Sequence, residues 1–172
     1  MGGTTRTEDQ PTDFYATPAW CVEKLIPLID WSKIDSYHEP CLGDGKLFDL
    51  IPVENKSWSE INYGRDYLNE LYFEIPKVDL VLTNPPFKDA VRFFKQAFSH
   101  SKTTIMLGKV DLLGSADRRQ FWQDNPPNNI IVMNERPSFT GKGSDSCVYA
   151  WFVWGDNALI DSSPFQWISR DF

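Results

Sequence analysis

The sequence predicts an α/β domain built on a mostly parallel sheet, and three observations carry that prediction. Short apolar runs of strand character alternate with stretches of helical periodicity. One run, Val78-Asp79-Leu80-Val81-Leu82-Thr83, stops abruptly at Asn84-Pro85-Pro86-Phe87. An earlier one, 34–39, enters the turn Glu39-Pro40-Cys41-Leu42-Gly43-Asp44-Gly45 and then a helix start. In an open α/β sheet, ligands bind outside the carboxyl ends of the strands, and both loops leave such ends.

Taken in order, residues 1–12 are polar and unpatterned, as expected of a disordered tail. A helix is expected over 19–29, with Thr17 as N-cap and Pro18 at its first position. Val22, Leu25, Ile26 and Ile29 form its apolar stripe, and Pro27 kinks or shortens it. A strand over 34–39, the glycine turn and a helix over 46–50 follow. Gly43 and Gly45 allow close approach of the backbone to a ligand, although G-x-G turns are common and this is neither a dinucleotide fingerprint nor a phosphate loop. The next strand is expected over 57–62. Glu60 near its end is either a ribose-binding acid or a surface residue. A turn at 63–68 carries Asp66 and Tyr67.

The central strand is expected over 78–83. Two prolines in succession end it, because each lacks an N–H and fixes φ. The loop then offers the Asn84 amide, the Pro85 carbonyl and the Phe87 ring, a set that suits a planar group carrying an –NH2; the alternative is a plain proline turn. A helix over 89–99 should bury Val91, Phe94 and Phe98. Strands over 103–107, 130–133 and 147–154, a short helix over 117–122, loops at 125–128 and 136–145, and an irregular tail over 156–172 complete the chain. The expected organisation is one domain over 13–172.

Composition narrows the function classes. Of 172 residues, 41% are hydrophobic and 15% aromatic, which indicates a globular chain. No apolar run approaches the roughly 20 residues of a membrane span, and no signal peptide is visible. Three scattered cysteines, Cys21, Cys41 and Cys147, argue for reduced thiols and a cytoplasmic location, and against a zinc site or a disulfide framework. Neither His38 nor His100 adds metal-ligand spacing, so no metal is expected. Net charge is −7, yet residues 88–142 hold nine Lys/Arg against five acids, a net +4 that leaves −11 elsewhere. A basic segment beside the Asn84 loop is compatible with a polyanion, or with solvated helix faces.

The order of these segments resembles the S-adenosylmethionine-dependent amino-group DNA methyltransferases, particularly the small phage-type N6-adenine enzymes, over roughly 13–155. Asp13-Phe14-Tyr15-Ala16-Thr17-Pro18 is similar to that family's N-terminal cofactor motif, and the 39–45 turn to its glycine motif. Asn84–Phe87 is similar to its catalytic motif. Arg136-Pro137-Ser138-Phe139-Thr140-Gly141 and Tyr149-Ala150-Trp151-Phe152-Val153-Trp154 resemble its later motifs. The resemblance implies a Rossmann-like methyltransferase fold with helices on both faces of a seven-stranded sheet. Its last strand is antiparallel, a place that falls to 147–154.

The resemblance also implies site residues. Tyr15, Ala16, Thr17, Pro18, Glu39, Pro40, Gly43, Asp44, Gly45, Tyr67 and Asn84 would bind the cofactor. Glu60 would hold its ribose, and Asp66 its adenine amino group. Asn84, Pro85, Pro86 and Phe87 would be catalytic, with S-adenosylhomocysteine as product. The partner would be DNA with a flipped-out adenine, touched by Phe87, Lys88, Arg118, Arg119, Arg136, Phe139 and Lys142; Phe139 is equally readable as core. For a viral enzyme the compartment is the host cytoplasm. Pro40-Cys41 is similar to the nucleophilic pair of cytosine-C5 enzymes, but its place in the cofactor turn makes Cys41 a packed thiol. One departure is visible. Only 38 residues separate Gly45 from Asn84, and 17 follow Gly155. Sequence specificity is therefore expected from loops, from a partner subunit or oligomer, or not at all. The same chemistry on an RNA base or a protein glutamine, and a non-catalytic binding subunit, are the alternatives.

Overall fold

A computed structural model describes residues 16–69, 77–143, 145–155 and 158–171. Tyr15, expected in the cofactor site, and the expected tail over 1–12 lie outside the described residues. The described chain forms one seven-stranded sheet. Its strands are β1 (Ser36–Glu39), β2 (Asn55–Trp58), β3 (Val78–Thr83), β4 (Ser101–Lys109), β5 (Asn129–Met133), β6 (Tyr149–Trp154) and β7 (Phe165–Ile168). The helices are α1 (Ala19–Glu23), α2 (Lys46–Leu50), α3 (Ala90–His100) and α4 (Arg119–Asp124), with single 3-10 turns between.

Strand order is β2-β1-β3-β4-β6-β5-β7. Pairing is parallel except where β6 lies between β4 and β5, antiparallel to both. The reversed strand is β6, within the 147–154 segment as expected, but it is not the last: β7 follows it and pairs in parallel with β5. The chain leaves β1 towards one edge and β3 towards the other. Strand order therefore reverses between them, and a crevice opens at their carboxyl ends. The middle of the sheet is β4, so β3 is an inner strand rather than the central one.

Alternation along the strands feeds two cores. One face carries Tyr37, Leu80, Leu82, Ile105, Trp151 and Val153 under α1 and α2. The other carries Val81, Met106, Ala150, Phe152 and Trp154 under α3 and α4. Both faces of β3, β4 and β6 are covered, which is why these segments read as nearly continuous apolar runs. The Trp151 indole N–H donates to the Cys21 carbonyl at 3.1 Å, tying β6 to α1. Gly155 ends β6 with φ +115°, and a Cβ there would lie 2.6 Å from the Lys102 carbonyl, so only glycine fits.

Several local expectations are corrected. The helix expected over 19–29 ends at Glu23, and its pattern continues as a 3-10 turn, Ile26–Leu28, because Pro27 cannot extend an α-helix. Pro18 occupies the N-cap position, and Thr17 makes no cap bond. The strand expected over 57–62 is Asn55–Trp58. Glu60 instead caps the 3-10 turn Ile61–Tyr63, accepting from the Asn62 N–H. The buried face of α3 is Ala90, Phe93, Phe94, Ala97 and His100, leaving Val91 and Phe98 at its margin. The tail over 156–172 is not all irregular: β7 pairs in parallel with β5. Its outward Phe165 and Trp167 are 57% and 60% exposed. Among the described residues no helix is long and apolar enough to cross a membrane.

Candidate active site

The crevice between β1 and β3 holds a cavity of about 230 Å³. Its wall comes from the loops at the strands' carboxyl ends. The turn after β1 contributes Pro40, Gly43 and Asp44, and the segment after β2 contributes Glu60, Asp66 and Tyr67. Asn84 and Pro86 come from the end of β3, and Ala16 and Thr17 from the approach to α1.

The turn is glycine-dependent for conformational reasons. Gly43 and Gly45 have φ +56° and +80°. A Cβ at Gly45 would meet nothing within 4 Å, so there the left-handed backbone, and not crowding, demands glycine. Gly45 precedes α2 as its N-cap and does not line the cavity. The Gly45 N–H donates to the Leu42 carbonyl, and the Leu42 N–H to the Ser59 carbonyl. Glu60 closes the turn from the other side. One carboxylate oxygen accepts from the Gly43 N–H at 2.9 Å, the other from the Asn62 backbone and side-chain amides at 3.1 and 3.0 Å. The acid thus lines the cavity and braces its glycine wall.

Glu39 lies behind the wall, fully buried. Oε1 accepts from the Cys41 N–H at 3.0 Å and from the Thr83 hydroxyl. Oε2 lies 2.9 Å from the Tyr37 hydroxyl, which is also 2.9 Å from the Leu82 carbonyl. Tyr37 has one proton and faces two oxygens. If that proton goes to Leu82, Glu39 must itself donate to Tyr37, which requires the neutral acid. Burial points the same way, pushing the Glu39 carboxyl up to about 8. Glu39 therefore links the glycine turn to the end of β3 from beneath, without lining the cavity. Cys41 does reach the cavity. Burial and the neighbouring Glu39 push its thiol well above its ordinary range, so it stays protonated and non-nucleophilic.

Two histidines that offered no metal spacing hold one wall in place. The Tyr67 ring stacks between His38 and Phe93, each at 5.6 Å, and its hydroxyl bonds His100 Nε2. His38 bonds the Ser57 and Ser59 hydroxyls at 2.8 and 2.9 Å. Burial pushes its pKa down to about 3, so it is neutral. No local pattern in the sequence announces this arrangement, because its members come from β1, β2, the turn at 63–68 and α3.

Asn84 is half-buried at the carboxyl end of β3, and its side-chain N–H donates to Thr17 Oγ1 at 3.0 Å. Pro85 is buried beside it. Phe87 does not line the cavity. Its ring meets Phe139 at 6.1 Å and Tyr149 at 5.5 Å, with the Lys109 ammonium 5.3 Å above it. The Tyr149 hydroxyl donates to Asp145, and that bond holds the Asp145 carboxyl below its ordinary range. Phe139 packs partly against the core while contacting Phe87, so both of its expected roles meet in one ring. Lys109, at the end of β4, is announced by no motif, whereas Tyr149 opens the motif-like segment that forms β6.

The expected basic contacts lie outside the cavity. Lys88, Arg119, Arg136 and Lys142 are exposed and Arg118 half-exposed, all on segments that leave the carboxyl edge of the sheet. Leu47, Ile61, Leu68, Arg92 and Phe93 also line the cavity, unannounced by any motif. Among the described residues, no group of three or more His, Cys, Asp or Glu is placed to hold a metal ion.

Neither a protein-family model nor a curated protein matches the chain. Solved structures do. A Listeria monocytogenes protein assigned to the class I S-adenosylmethionine-dependent methyltransferases superposes with TM-score 0.64 at 14% identity, over 94% of this chain and 68% of that one. The methyltransferase subunit of a type I restriction-modification system from Streptococcus thermophilus gives 0.60 at 14% identity, over 91% of this chain and 47% of that one. A dimethyladenosine transferase from Plasmodium falciparum gives 0.56 at 15% identity, over 81% and 61%. At such identities the likeness is one of fold, and the chain has the class I S-adenosylmethionine-dependent methyltransferase fold.

Proposed function

We propose that the chain methylates the exocyclic N6 amino group of adenine in DNA, using S-adenosylmethionine. The observation that carries this reading is the placement of Asn84. It stands at the carboxyl end of β3, on the wall of the cavity at the topological switch point, next to the aromatic corner around Phe87.

The cavity suits the cofactor. Its left-handed glycine turn brings backbone close to a ligand, and two carboxylates, Glu60 and Asp66, supply acceptors for hydroxyl and amino groups. The Tyr67 ring, Ile61 and Leu68 supply apolar wall. S-Adenosylmethionine, when bound, supplies a methyl group activated by a sulfonium.

The chain's own residues handle the target. An aromatic amino nitrogen is a weak nucleophile, because its lone pair is delocalised into the ring. The Asn84 side-chain oxygen and the Pro85 carbonyl each accept a hydrogen bond from that –NH2, favouring a pyramidal nitrogen with a directed lone pair. Position and preorganised dipoles carry the rate, and no covalent enzyme intermediate is needed. Phe87 offers an aromatic ring to a base extruded from its stack. The exposed Lys88, Arg119, Arg136 and Lys142, with half-exposed Arg118, suit phosphate contacts. Two of the structural neighbours bear names tied to restriction-modification and to dimethyladenosine, which supports a nucleic-acid target. Incubation with methyl-tritiated cofactor and, separately, DNA, RNA and total protein tests the reading. Label in DNA supports it; label in RNA or protein alone redirects it, and label in none refutes it.

Two expectations belong to this site. Asp66→Ala should weaken S-adenosylhomocysteine binding by roughly 1–3 kcal/mol, the cost of leaving a buried polar group unpaired. Asp66 Oδ1 also accepts from the Leu68 N–H at 3.0 Å, so Asp66→Asn is the control that keeps the turn. Calorimetry showing unchanged affinity in Asp66→Ala would remove the residue from the site. Reversing Arg118 and Arg119 to Glu should weaken DNA binding and flatten its salt dependence, because fewer counterions are released. A salt slope equal to that of the wild type would make these two arginines ordinary surface charge.

A further inference from the structure

We infer that Lys109 binds a phosphodiester flanking the target nucleotide and so anchors the nucleotide whose base meets Phe87; this rests on the DNA-methylation reading above. Lys109 ends β4, the middle strand of the sheet, where the register sets it opposite Tyr149 of β6. The next N–H, of Val110, donates to the Val148 carbonyl at 2.9 Å, so the backbone here is tied to its neighbour. The side chain is half-buried and its ammonium lies 5.3 Å from the centre of the Phe87 ring. It does not line the cofactor-type cavity.

The ammonium is under-used where it stands. A lysine has three N–H donors and a full positive charge. Among the described residues Lys109 makes no side-chain hydrogen bond and joins no ion pair. Its charge helps to hold the Asp145 carboxyl below its ordinary range. Both oxygens of that carboxylate already accept other bonds, one from the Tyr149 hydroxyl and one from the Cys147 N–H at 3.2 Å. A cation with open donors, set over the ring expected to meet the base, calls for an anion that arrives together with the base. An extruded nucleotide turns about its own backbone, so its flanking phosphodiesters come to the mouth of the same corner. An ammonium against a phosphate oxygen makes a charge-assisted hydrogen bond, which is stronger than its contact with a ring. The flexible four-carbon stem lets the ammonium swing from one to the other while the strand stays fixed. Leaving the ring also uncovers the side of Phe87 on which it sits. A phosphate contact is the same before and during methyl transfer, so it acts on KM and not on kcat.

Lys109→Met keeps the length of the stem and removes the charge; Lys109→Arg keeps the charge. Lys109→Met should raise KM for adenine-containing DNA roughly tenfold, with kcat within about threefold. The salt slope of DNA binding should fall by about one unit, the mark of one lost phosphate contact. S-Adenosylhomocysteine affinity and the melting temperature should stay at wild-type values, and Lys109→Arg should keep most of the DNA affinity. Replacing the two phosphodiesters that flank the methylated adenine with neutral methylphosphonates should cost the wild type about as much as Lys109→Met does, and cost Lys109→Met little more. An unchanged salt slope would overturn the inference. So would equal methylphosphonate losses in the two proteins, because Lys109 would then not touch those phosphates. A fall in S-adenosylhomocysteine affinity in Lys109→Met would overturn it too, by moving the residue to the cofactor. A wild type that methylates no adenine is a separate result: it refutes the methylation reading, while the salt slope still decides whether Lys109 binds phosphate.

Discussion

Asn84→Ala should lose methyl transfer almost completely while binding the cofactor nearly as well as the wild type. Asn84 is fixed from two directions, by the end of β3 and by Thr17. Its oxygen accepts from a donor whose need for that bond grows as the nitrogen becomes pyramidal. An interaction that strengthens towards the transition state affects kcat more than KM. Removing one such preorganised group typically costs on the order of 10²–10³ in rate. Steady-state kinetics on adenine-containing DNA, with calorimetry for S-adenosylhomocysteine, separates the two quantities. Turnover within a few-fold of wild type would reduce Asn84–Phe87 to a turn that ends a strand.

Glu39 should show the largest effect on stability, with opposite outcomes for two substitutions. Glu39→Leu orphans the buried Thr83 hydroxyl, at roughly 1–3 kcal/mol, and also the half-buried Cys41 N–H. Glu39→Gln mimics the neutral acid: its oxygen accepts from Cys41 and Thr83, and its amide donates to Tyr37. The glutamine variant should therefore fold normally near neutral pH. It should also remove a pH dependence. The folded-state pKa is raised by burial from its ordinary 4.5 to about 8. As pH rises from 4.5, the unfolded chain sheds this proton first, so stability falls progressively until the folded carboxyl also ionises near 8. Denaturant titrations at pH 5 and pH 9 should show the wild type losing more stability than Glu39→Gln over that interval. Equal losses would mean that Glu39 is not the group responsible.

The fold was legible wherever a strand is buried on both faces. The segments of β3, β4 and β6 are apolar runs because helices cover them on either side, and the reversed β6 followed from the order of motifs. What escaped was structure made by pairing alone. In β7, Phe165 and Trp167 face outward, and the strand exists because β5 accepts it and Asn129 binds the Ser162 and Ser163 carbonyls. No four-residue window records that. At the site, residue types pointed to Asn84, Gly43, Glu60 and Asp66, since each sits in a segment that leaves the carboxyl end of a strand and lines the cavity. Partnerships across the chain did not show. Thr17 with Asn84, Tyr67 between His38 and Phe93, and Lys109 over Phe87 all depend on the order of strands in the sheet. Glu39 shows the limit most clearly: its position in the glycine turn suggested a ligand contact, and the depth of β1 placed it beneath the cavity.

The most direct measurement is nucleoside analysis of DNA incubated with the protein and S-adenosylmethionine. The DNA is digested and its deoxynucleosides are resolved by mass, with Asn84→Ala processed in parallel. The expected result is N6-methyldeoxyadenosine in the wild-type digest and almost none in the variant. Unmodified deoxyadenosine with wild-type protein, or equal N6-methyldeoxyadenosine in both digests, would contradict the assignment of this cavity and its Asn84 loop to adenine methylation.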